Sequence, residues 1–268
     1  MKKINYYKDE LKDSFTTPLE NPRVIDENYK YIHKNIFYKI ASFVAYRIIA
    51  VPLSYLYLKL KFHLTFKNKK VLKGYKKKGI YIYGNHTQQL ADAFIPTHLT
   101  RPTKPYVIVH PDNVSLKVIG RAVPMLGALP LPDNIKATKN FLKAIEIINK
   151  KGSPIMIYPE AKIWPYYTKI RPFVSNSFKY PVKSNSPTFC ITTTYHKRKN
   201  PNKVKLIVYV DGPFYPDSSL SLKEQEKDLR NKVYNQMVER AKTSDCELIQ
   251  YVKIQEDSEI LNEQTKEK

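Results

Sequence analysis

The chain has 268 residues, of which 42% are apolar and 12% aromatic, enough to fill the core of one large α/β domain and too many for a disordered polymer. Its 46 Lys and Arg residues outnumber 24 Asp and Glu residues, and the net charge of +22 favours a polyanionic partner, either phospholipid or nucleic acid. The two cysteines, Cys190 and Cys246, lack the neighbours of a zinc site or redox pair, so we expect no bound metal.

The amino-terminal region combines a polar start with the most apolar stretch of the chain. The polar start lacks the apolar core of a secretory signal, so we expect the protein to stay on the cytoplasmic side. The apolar stretch runs from Ile36 to Leu60 but contains Arg47 and Pro52, which argue against a clean membrane-spanning helix. Its aromatic residues and flanking lysines favour helices lying in the interface of an anionic membrane. An ordinary buried helix and a true span remain alternatives.

From Gly79 onward, short β-branched or aromatic runs alternate with longer helical patterns, which is typical of an α/β sheet. The predicted strands are residues 80–83, 106–109, 154–158, 189–194 and 205–210. The predicted helices are residues 88–99, 116–122, 135–149 and 222–241. We divide the chain into an N-terminal membrane-associating region (1–62), one catalytic domain (63–254) and a polar tail (255–268).

A histidine and an aspartate at the end of the first predicted strand form the main candidate for catalysis. His86 follows the strand directly, at the edge of the sheet where α/β sites usually form. A carboxylate on one ring nitrogen would let the other nitrogen take a proton from an alcohol, and Asp92 is the candidate carboxylate. Five residues separate the pair, which does not place both on one face of a regular helix. We therefore expect His86 in a loop before the helix that carries Asp92.

Other segments accompany this pair in a recognisable order. Gly120-Arg121 precedes Gly127-Ala128, Tyr158-Pro159-Glu160 ends a predicted strand, and Ser186-Pro187 comes later; Arg171 and Lys179 lie between. Together with Asn85-His86 and Asp92, this order resembles the lysophosphatidic acid and glycerol-3-phosphate acyltransferase family over roughly residues 79–213. Two positions depart from the family pattern: the first motif carries one extra residue, and Glu160 is followed by Ala161-Lys162 where the family has Gly-Thr-Arg.

The resemblance implies an α/β fold with a mixed, largely parallel sheet flanked by helices. It also implies that His86 deprotonates the hydroxyl of lysophosphatidic acid or a related lysophospholipid, which attacks an acyl thioester, with Asp92 orienting the histidine. Glu160 would help to hold the acceptor. No bound cofactor is implied, and the co-substrate would be acyl-CoA or an acyl-carrier-protein thioester.

The acceptor's phosphate requires cationic partners, and the candidates are Arg171, Arg121 and Lys179. Glycerol 3-phosphate is an alternative acceptor. A different class of function is a non-catalytic basic module that binds anionic membrane or nucleic acid, and an inactive acyltransferase is a further alternative. We expect no nucleic-acid partner, because the lysines are scattered and no helix-turn-helix or related motif is present in the sequence.

Overall fold

The computed structural model describes residues 3–17 and 19–254, so the predicted tail at 255–268 lies outside the described residues. Its strands are β1 (Lys3–Tyr7), β2 (Thr65–Lys67), β3 (Tyr81–Gly84), β4 (Tyr106–Val109), β5 (Ala128–Pro130), β6 (Ile155–Ile157), β7 (Thr188–Lys197), β8 (Val204–Phe214) and β9 (Ile249–Lys253). Its α-helices are α1 (Ile36–Phe43), α2 (Val51–Phe62), α3 (Ala91–Thr100), α4 (Asp112–Ser115), α5 (Ile135–Lys150), α6 (Lys179–Ser184) and α7 (Leu222–Ala241). Shorter 3₁₀ turns cover Lys69–Tyr75, Val123–Leu126 and Asn176–Phe178.

A seven-stranded sheet organises the part of the chain that the structure describes, in the order β2-β8-β7-β3-β6-β4-β5. The neighbouring strands are parallel except for β7 and β8, which pair antiparallel. A separate parallel pair joins β1 to β9. The expected α/β class with a mixed, largely parallel sheet is therefore confirmed. The division of the chain at residue 62 stays a prediction.

All five strands predicted from the sequence are present, as β3, β4, β6, β7 and β8. The helices predicted at 88–99, 135–149 and 222–241 are also present, as α3, α5 and α7. Helix α7 begins with a capping box, in which Ser221 and Glu224 satisfy each other's backbone N–H groups.

The helix predicted at 116–122 is wrong. Residues 117–122 form turns instead, in which the N–H of Gly120 donates to the carbonyl of Leu116 at 2.8 Å. A Cβ at Gly120 would lie 2.5 Å from that carbonyl oxygen, so the chain is folded too tightly there for a side chain. Pro124 follows shortly afterwards and cannot supply a helical N–H. The apolar spacing in this segment therefore belongs to a compact loop.

The sheet separates two apolar cores because successive strand residues point to opposite faces. One face carries Tyr81, Tyr83 and Cys190 and packs against helices α5, α6 and α7. The other carries Ile82 and Phe189 and packs against helices α2 and α3. The second core is the one that bears on the candidate site, because α3 carries Asp92.

Helices α1 and α2 are joined through a π-helical segment, Val44–Ala50, into one continuous helix from Ile36 to Phe62, here called the N-terminal helix. It is long and apolar enough to cross a membrane, and 11% of its most apolar window is buried in the protein. The two residues that argued against a clean span are accommodated. Arg47 donates to the carbonyl of Pro102, and Pro52 lies at the junction where the π-helical segment passes into α2.

Candidate active site

The candidate base and its carboxylate are in direct contact. His86 lies in the loop after β3, and its Nδ1 is 2.9 Å from Oδ2 of Asp92 in the first turn of α3. The same oxygen accepts the backbone N–H groups of Thr87 at 2.9 Å and Gln88 at 2.8 Å. The loop thus curls around the carboxylate and absorbs the additional residue of the spacing. This is the arrangement that the sequence required for Asp92 to reach His86.

The two members of the pair differ in their access to solvent. The side chain of Asp92 is 1% exposed, whereas that of His86 is 18% exposed. Burial raises the pKa of the Asp92 carboxyl, while the hydrogen bond to His86 opposes that rise. Nε2 of His86 has no hydrogen-bond partner among residues 3–17 and 19–254, so it is free to meet a ligand from the surface.

An aromatic ring that sequence reasoning did not single out holds the imidazole from one side. The ring of Tyr158 stacks on His86 with centroids 4.6 Å apart and planes inclined by 20°. Its hydroxyl donates to the backbone carbonyl of Asp92 at 2.5 Å. Tyr158 follows β6 directly and precedes Pro159-Glu160, so its position at the end of a strand was the available signal. The stack and the Asp92 bond together restrict rotation of the imidazole.

Glu160 approaches His86 through the backbone. Its Oε2 accepts the N–H of His86 at 3.0 Å, and its Oε1 accepts the N–H of Arg171 at 3.0 Å. The side chains of Glu160 and Arg171 are both fully buried, with the guanidinium 3.4 Å from Oε2. Burial raises the pKa of Glu160, and the charge of Arg171 opposes that rise. The Glu160–Arg171 pair therefore braces the loop that carries the histidine.

The guanidinium of Arg171 is enclosed by the protein and is not exposed to solvent. It donates to the carbonyls of Lys162 and Glu10, the latter at 3.2 Å, and lies 4.9 Å from the ring centre of Trp164. This placement favours a structural role for Arg171 over direct contact with an acceptor phosphate. Sequence reasoning did not anticipate this burial, because an arginine that ends fully enclosed has the same local pattern as an exposed one.

The loop after Glu160 is tied to the histidine loop by backbone hydrogen bonds. The N–H of Trp164 donates to the carbonyl of His86 at 3.2 Å, and the N–H of Tyr166 donates to that of Thr87 at 3.0 Å. Trp164 is completely buried, and its ring stacks on Tyr251 of β9 at 5.0 Å. The stack of Trp164 on Tyr251 therefore packs the loop against the β1–β9 pair.

A second network fixes the loop from the β7 side. The amide of Asn85 exchanges two hydrogen bonds with the backbone of Thr193, at 3.0 and 2.8 Å. The amide of Gln88 donates to the hydroxyl of Tyr195 at 3.1 Å, and that hydroxyl is 2.7 Å from the hydroxyl of Thr87. All of these side chains are buried. The residues on both sides of His86 are thus anchored to the central sheet.

The remaining predicted substrate-binding residues lie apart from this cluster. Lys179 is exposed at the start of α6, with its Nζ 5.5 Å from the ring centre of Tyr180. Arg121 is exposed in the turn before Val123–Leu126. Neither cation forms a hydrogen bond or ion pair with His86, Asp92 or Glu160. Among residues 3–17 and 19–254, no three His, Cys, Asp or Glu side chains are grouped so that they could hold a metal ion.

The chain is similar to a known protein in its structure, whereas its sequence matches no family model and no curated protein. The crystal structure of PlsC, the 1-acyl-sn-glycerophosphate (LPA) acyltransferase from Thermotoga maritima, matches with a TM-score of 0.53 at 17% sequence identity. The match covers 77% of this chain and 88% of that chain. The chain has the PlsC fold. At this identity the likeness establishes the PlsC fold and leaves the activity to be argued from the site.

Proposed function

We propose that the protein transfers a fatty acyl group from an acyl thioester to the hydroxyl of lysophosphatidic acid or a related lysophospholipid. The observation that carries this proposal is the His86–Asp92 pair, in which a buried carboxylate 2.9 Å from Nδ1 leaves a partly exposed imidazole with Nε2 free. The pair lies on the PlsC fold. Fold and residues thus support the same chemistry independently.

A hydroxyl is a weak nucleophile at neutral pH and requires a base at the moment of attack. In the proposed reaction, Nε2 of His86 takes the hydroxyl proton as the acceptor oxygen bonds to the thioester carbonyl carbon. Asp92 keeps the remaining proton on Nδ1 and stabilises the imidazolium that forms. The tetrahedral intermediate then breaks its C–S bond, and the leaving thiolate recovers the proton from Nε2. The ester and the free thiol are the products.

The residues around the pair have positioning roles in this proposal. Tyr158 restricts the plane of the imidazole, and Glu160 holds the backbone N–H of His86. Arg171 stabilises Glu160 as a buried anion. Arg121 and Lys179 remain the exposed candidates for the acceptor phosphate, since each side chain is accessible. The proposed donor is acyl-CoA or an acyl-carrier-protein thioester.

We also propose that the protein binds the cytoplasmic face of an anionic membrane through its N-terminal helix. That helix exposes a row of large apolar side chains that includes Phe37 at 77%, Phe43 at 59%, Leu53 at 61% and Leu60 at 71%. Exposed apolar surface of this extent is unfavourable in water and typical of a membrane or protein contact. A lysophospholipid acceptor and its acyl product are both found at such a surface.

The contacts of the N-terminal helix favour an orientation in the membrane interface. Side chains in its middle bond to the rest of the chain: Ser42 to Met125 at 2.7 Å, Tyr46 to Thr97 at 3.4 Å, and Ser54 to His98 at 2.8 Å. A helix that crossed the bilayer would have to give up these contacts. These contacts support a helix that lies along the domain with its other face toward lipid.

The proposal is tested by measuring acyl transfer to lysophosphatidic acid and to glycerol 3-phosphate with the full chain and its His86→Ala variant. The matched control is His110→Ala, because His110 also has a nearby carboxylate, with Nδ1 3.3 Å from Asp112, but is 61% exposed and follows β4, two strands away from β3 in the sheet. Loss of a general base lowers kcat by about 10²–10⁴-fold, so we expect that loss in His86→Ala and wild-type rates in the control.

Glycerol 3-phosphate remains the second candidate acceptor, and the same assay ranks the two by kcat/KM. The non-catalytic alternative makes the opposite prediction for the variants. A basic module that only binds anionic surfaces would show no transfer with either acceptor and would be indifferent to His86. Equal transfer by wild type and His86→Ala would contradict the proposed mechanism.

A further inference from the structure

A cavity of about 260 Å³ lies at the opposite end of α3 from the His86–Asp92 pair. Its floor is apolar, formed by Leu72, Ile80 and Leu99. Its rim consists of cations from two segments: Lys69, Lys70, Lys73, Lys76, Lys77 and Arg101. No aspartate or glutamate is among its lining residues. The cavity thus presents concentrated positive charge around a space several times the volume of a water molecule, which occupies about 30 Å³.

The positive charge of this rim is not neutralised by the protein. None of the six cations forms an ion pair with a carboxylate among residues 3–17 and 19–254. Of the six, only Lys69 donates a side-chain hydrogen bond to the part of the chain that the structure describes, from Nζ to the carbonyl of His98 at 2.6 Å, which caps the last turn of α3. Burial lowers the pKa of Lys69, and the charges of Arg101 and Lys76 lower it further. Like charges grouped around one cavity without acidic partners repel one another, and a bound anion lowers that repulsion.

The cavity adjoins the proposed membrane-facing helix. His98, whose carbonyl accepts from Lys69, also bonds through Nε2 to Ser54 in the N-terminal helix at 2.8 Å. Through His98, the rim of the cavity is therefore linked to the N-terminal helix. Asp92 is the second residue of α3, and the α3 residues that line the cavity are Leu99 and Thr100, seven and eight positions further on. At the usual helical rise the two ends are about 10–12 Å apart, so the cavity is distinct from the proposed site of acyl transfer.

We propose that this cavity binds the phosphate group of an anionic ligand, carried either on a phospholipid headgroup or on a small soluble molecule. Several lysine ammonium groups can surround a phosphate from different sides, and Arg101 can donate two parallel hydrogen bonds to its oxygens. The apolar floor would meet the carbon atoms attached to the phosphate. The proposal does not depend on acyl transfer, because its test measures binding.

The experiment compares the full wild-type chain with two triple variants of equal charge. The cavity variant combines Lys70→Gln, Lys73→Gln and Lys76→Gln. The control variant combines Lys136→Gln, Lys139→Gln and Lys143→Gln, three exposed lysines of α5 on the other face of the sheet. Circular dichroism establishes that each is folded. Lys76→Gln alone serves as a second probe if the cavity variant does not fold, with an expected loss of about fivefold.

One arm measures partition onto phosphatidylcholine vesicles with and without phosphatidic acid, and the other measures the rise in Tm caused by inorganic phosphate at constant ionic strength. A lipid ligand predicts that the cavity variant loses at least about tenfold more affinity for phosphatidic acid vesicles than the control variant. A soluble ligand predicts that phosphate stabilises wild type and control but not the cavity variant. Equal behaviour of the two variants in both arms would overturn the proposal, since net charge alone would then explain binding.

Discussion

Removal of the Arg171 guanidinium distinguishes a structural role of this residue from contact with substrate. In Arg171→Met, an uncharged side chain of similar length keeps contact with Trp164 but leaves the fully buried Glu160 carboxylate without its cation. Breaking a buried ion pair from one side costs about 3–5 kcal/mol. Glu160 retains its hydrogen bonds from the backbone N–H groups of His86 and residue 171, so we expect the lower end of that range.

For a chain of this size, a loss of about 3 kcal/mol lowers Tm by roughly 6–10 °C. The assay pairs thermal unfolding with KM for lysophosphatidic acid, and Lys139→Met is the control because Lys139 is an exposed cation of α5 that is not a candidate for binding the acceptor. We expect a lowered Tm in Arg171→Met and an unchanged one in the control. An unchanged Tm together with a raised KM in Arg171→Met would refute the reasoning and assign the guanidinium to the acceptor phosphate.

Three further predictions follow from local structure. Ala161 is exposed with φ of +61°, so Ala161→Gly should raise the free energy of unfolding by up to about 1 kcal/mol, and a lower value in denaturant titration would contradict the strain. Burial and then Arg101 and Lys69 lower the pKa of His98 to about 4, below its unfolded value of about 6.5. Between pH 6.5 and pH 4 the unfolded chain binds a proton on His98 that the folded chain does not bind. The free energy of unfolding should therefore be highest above pH 6.5 and fall by on the order of 1–3 kcal/mol toward pH 4. His98→Gln should reduce that fall in Tm measured across the same range, and an identical fall would exclude His98 as its cause. Leu53→Ser with Leu56→Ser should weaken vesicle binding about tenfold with little change in Tm, since both side chains are more than half exposed; unchanged binding would contradict the membrane contact of the helix.

The helices and strands that could be predicted from the sequence are those whose signal lies within a short stretch of neighbouring residues. The five central strands are short apolar runs, and α7 combines a capping box with helical spacing, so each was predictable. Strands β1, β2, β5 and β9 were not predicted, because they are short or largely accessible and owe their structure to pairing with distant segments. Pairing of that kind leaves little trace in local sequence.

The candidate site likewise contains some contacts that local sequence predicts and others that depend on distant segments. The contact between His86 and Asp92 could be anticipated because both residues lie near one strand end, with the loop between them free to adjust. The enclosure of Arg171 could not be anticipated, since it depends on Glu10 and Trp164 arriving from other parts of the chain. The stacking of Tyr158 on His86 likewise depends on β3 and β6 being neighbours in the sheet.

In the proposed reaction, His86 works as a base because a buried carboxylate holds its other ring nitrogen. The most direct measurement is kcat of Asp92→Asn, with Asp112→Asn beside the exposed His110 as the matched control. An asparagine amide can hold the ring in the wrong tautomer and cannot stabilise the imidazolium, so we expect kcat to fall by about 10⁴-fold in folded Asp92→Asn and to stay at the wild-type value in the control. Wild-type kcat in Asp92→Asn would contradict the account.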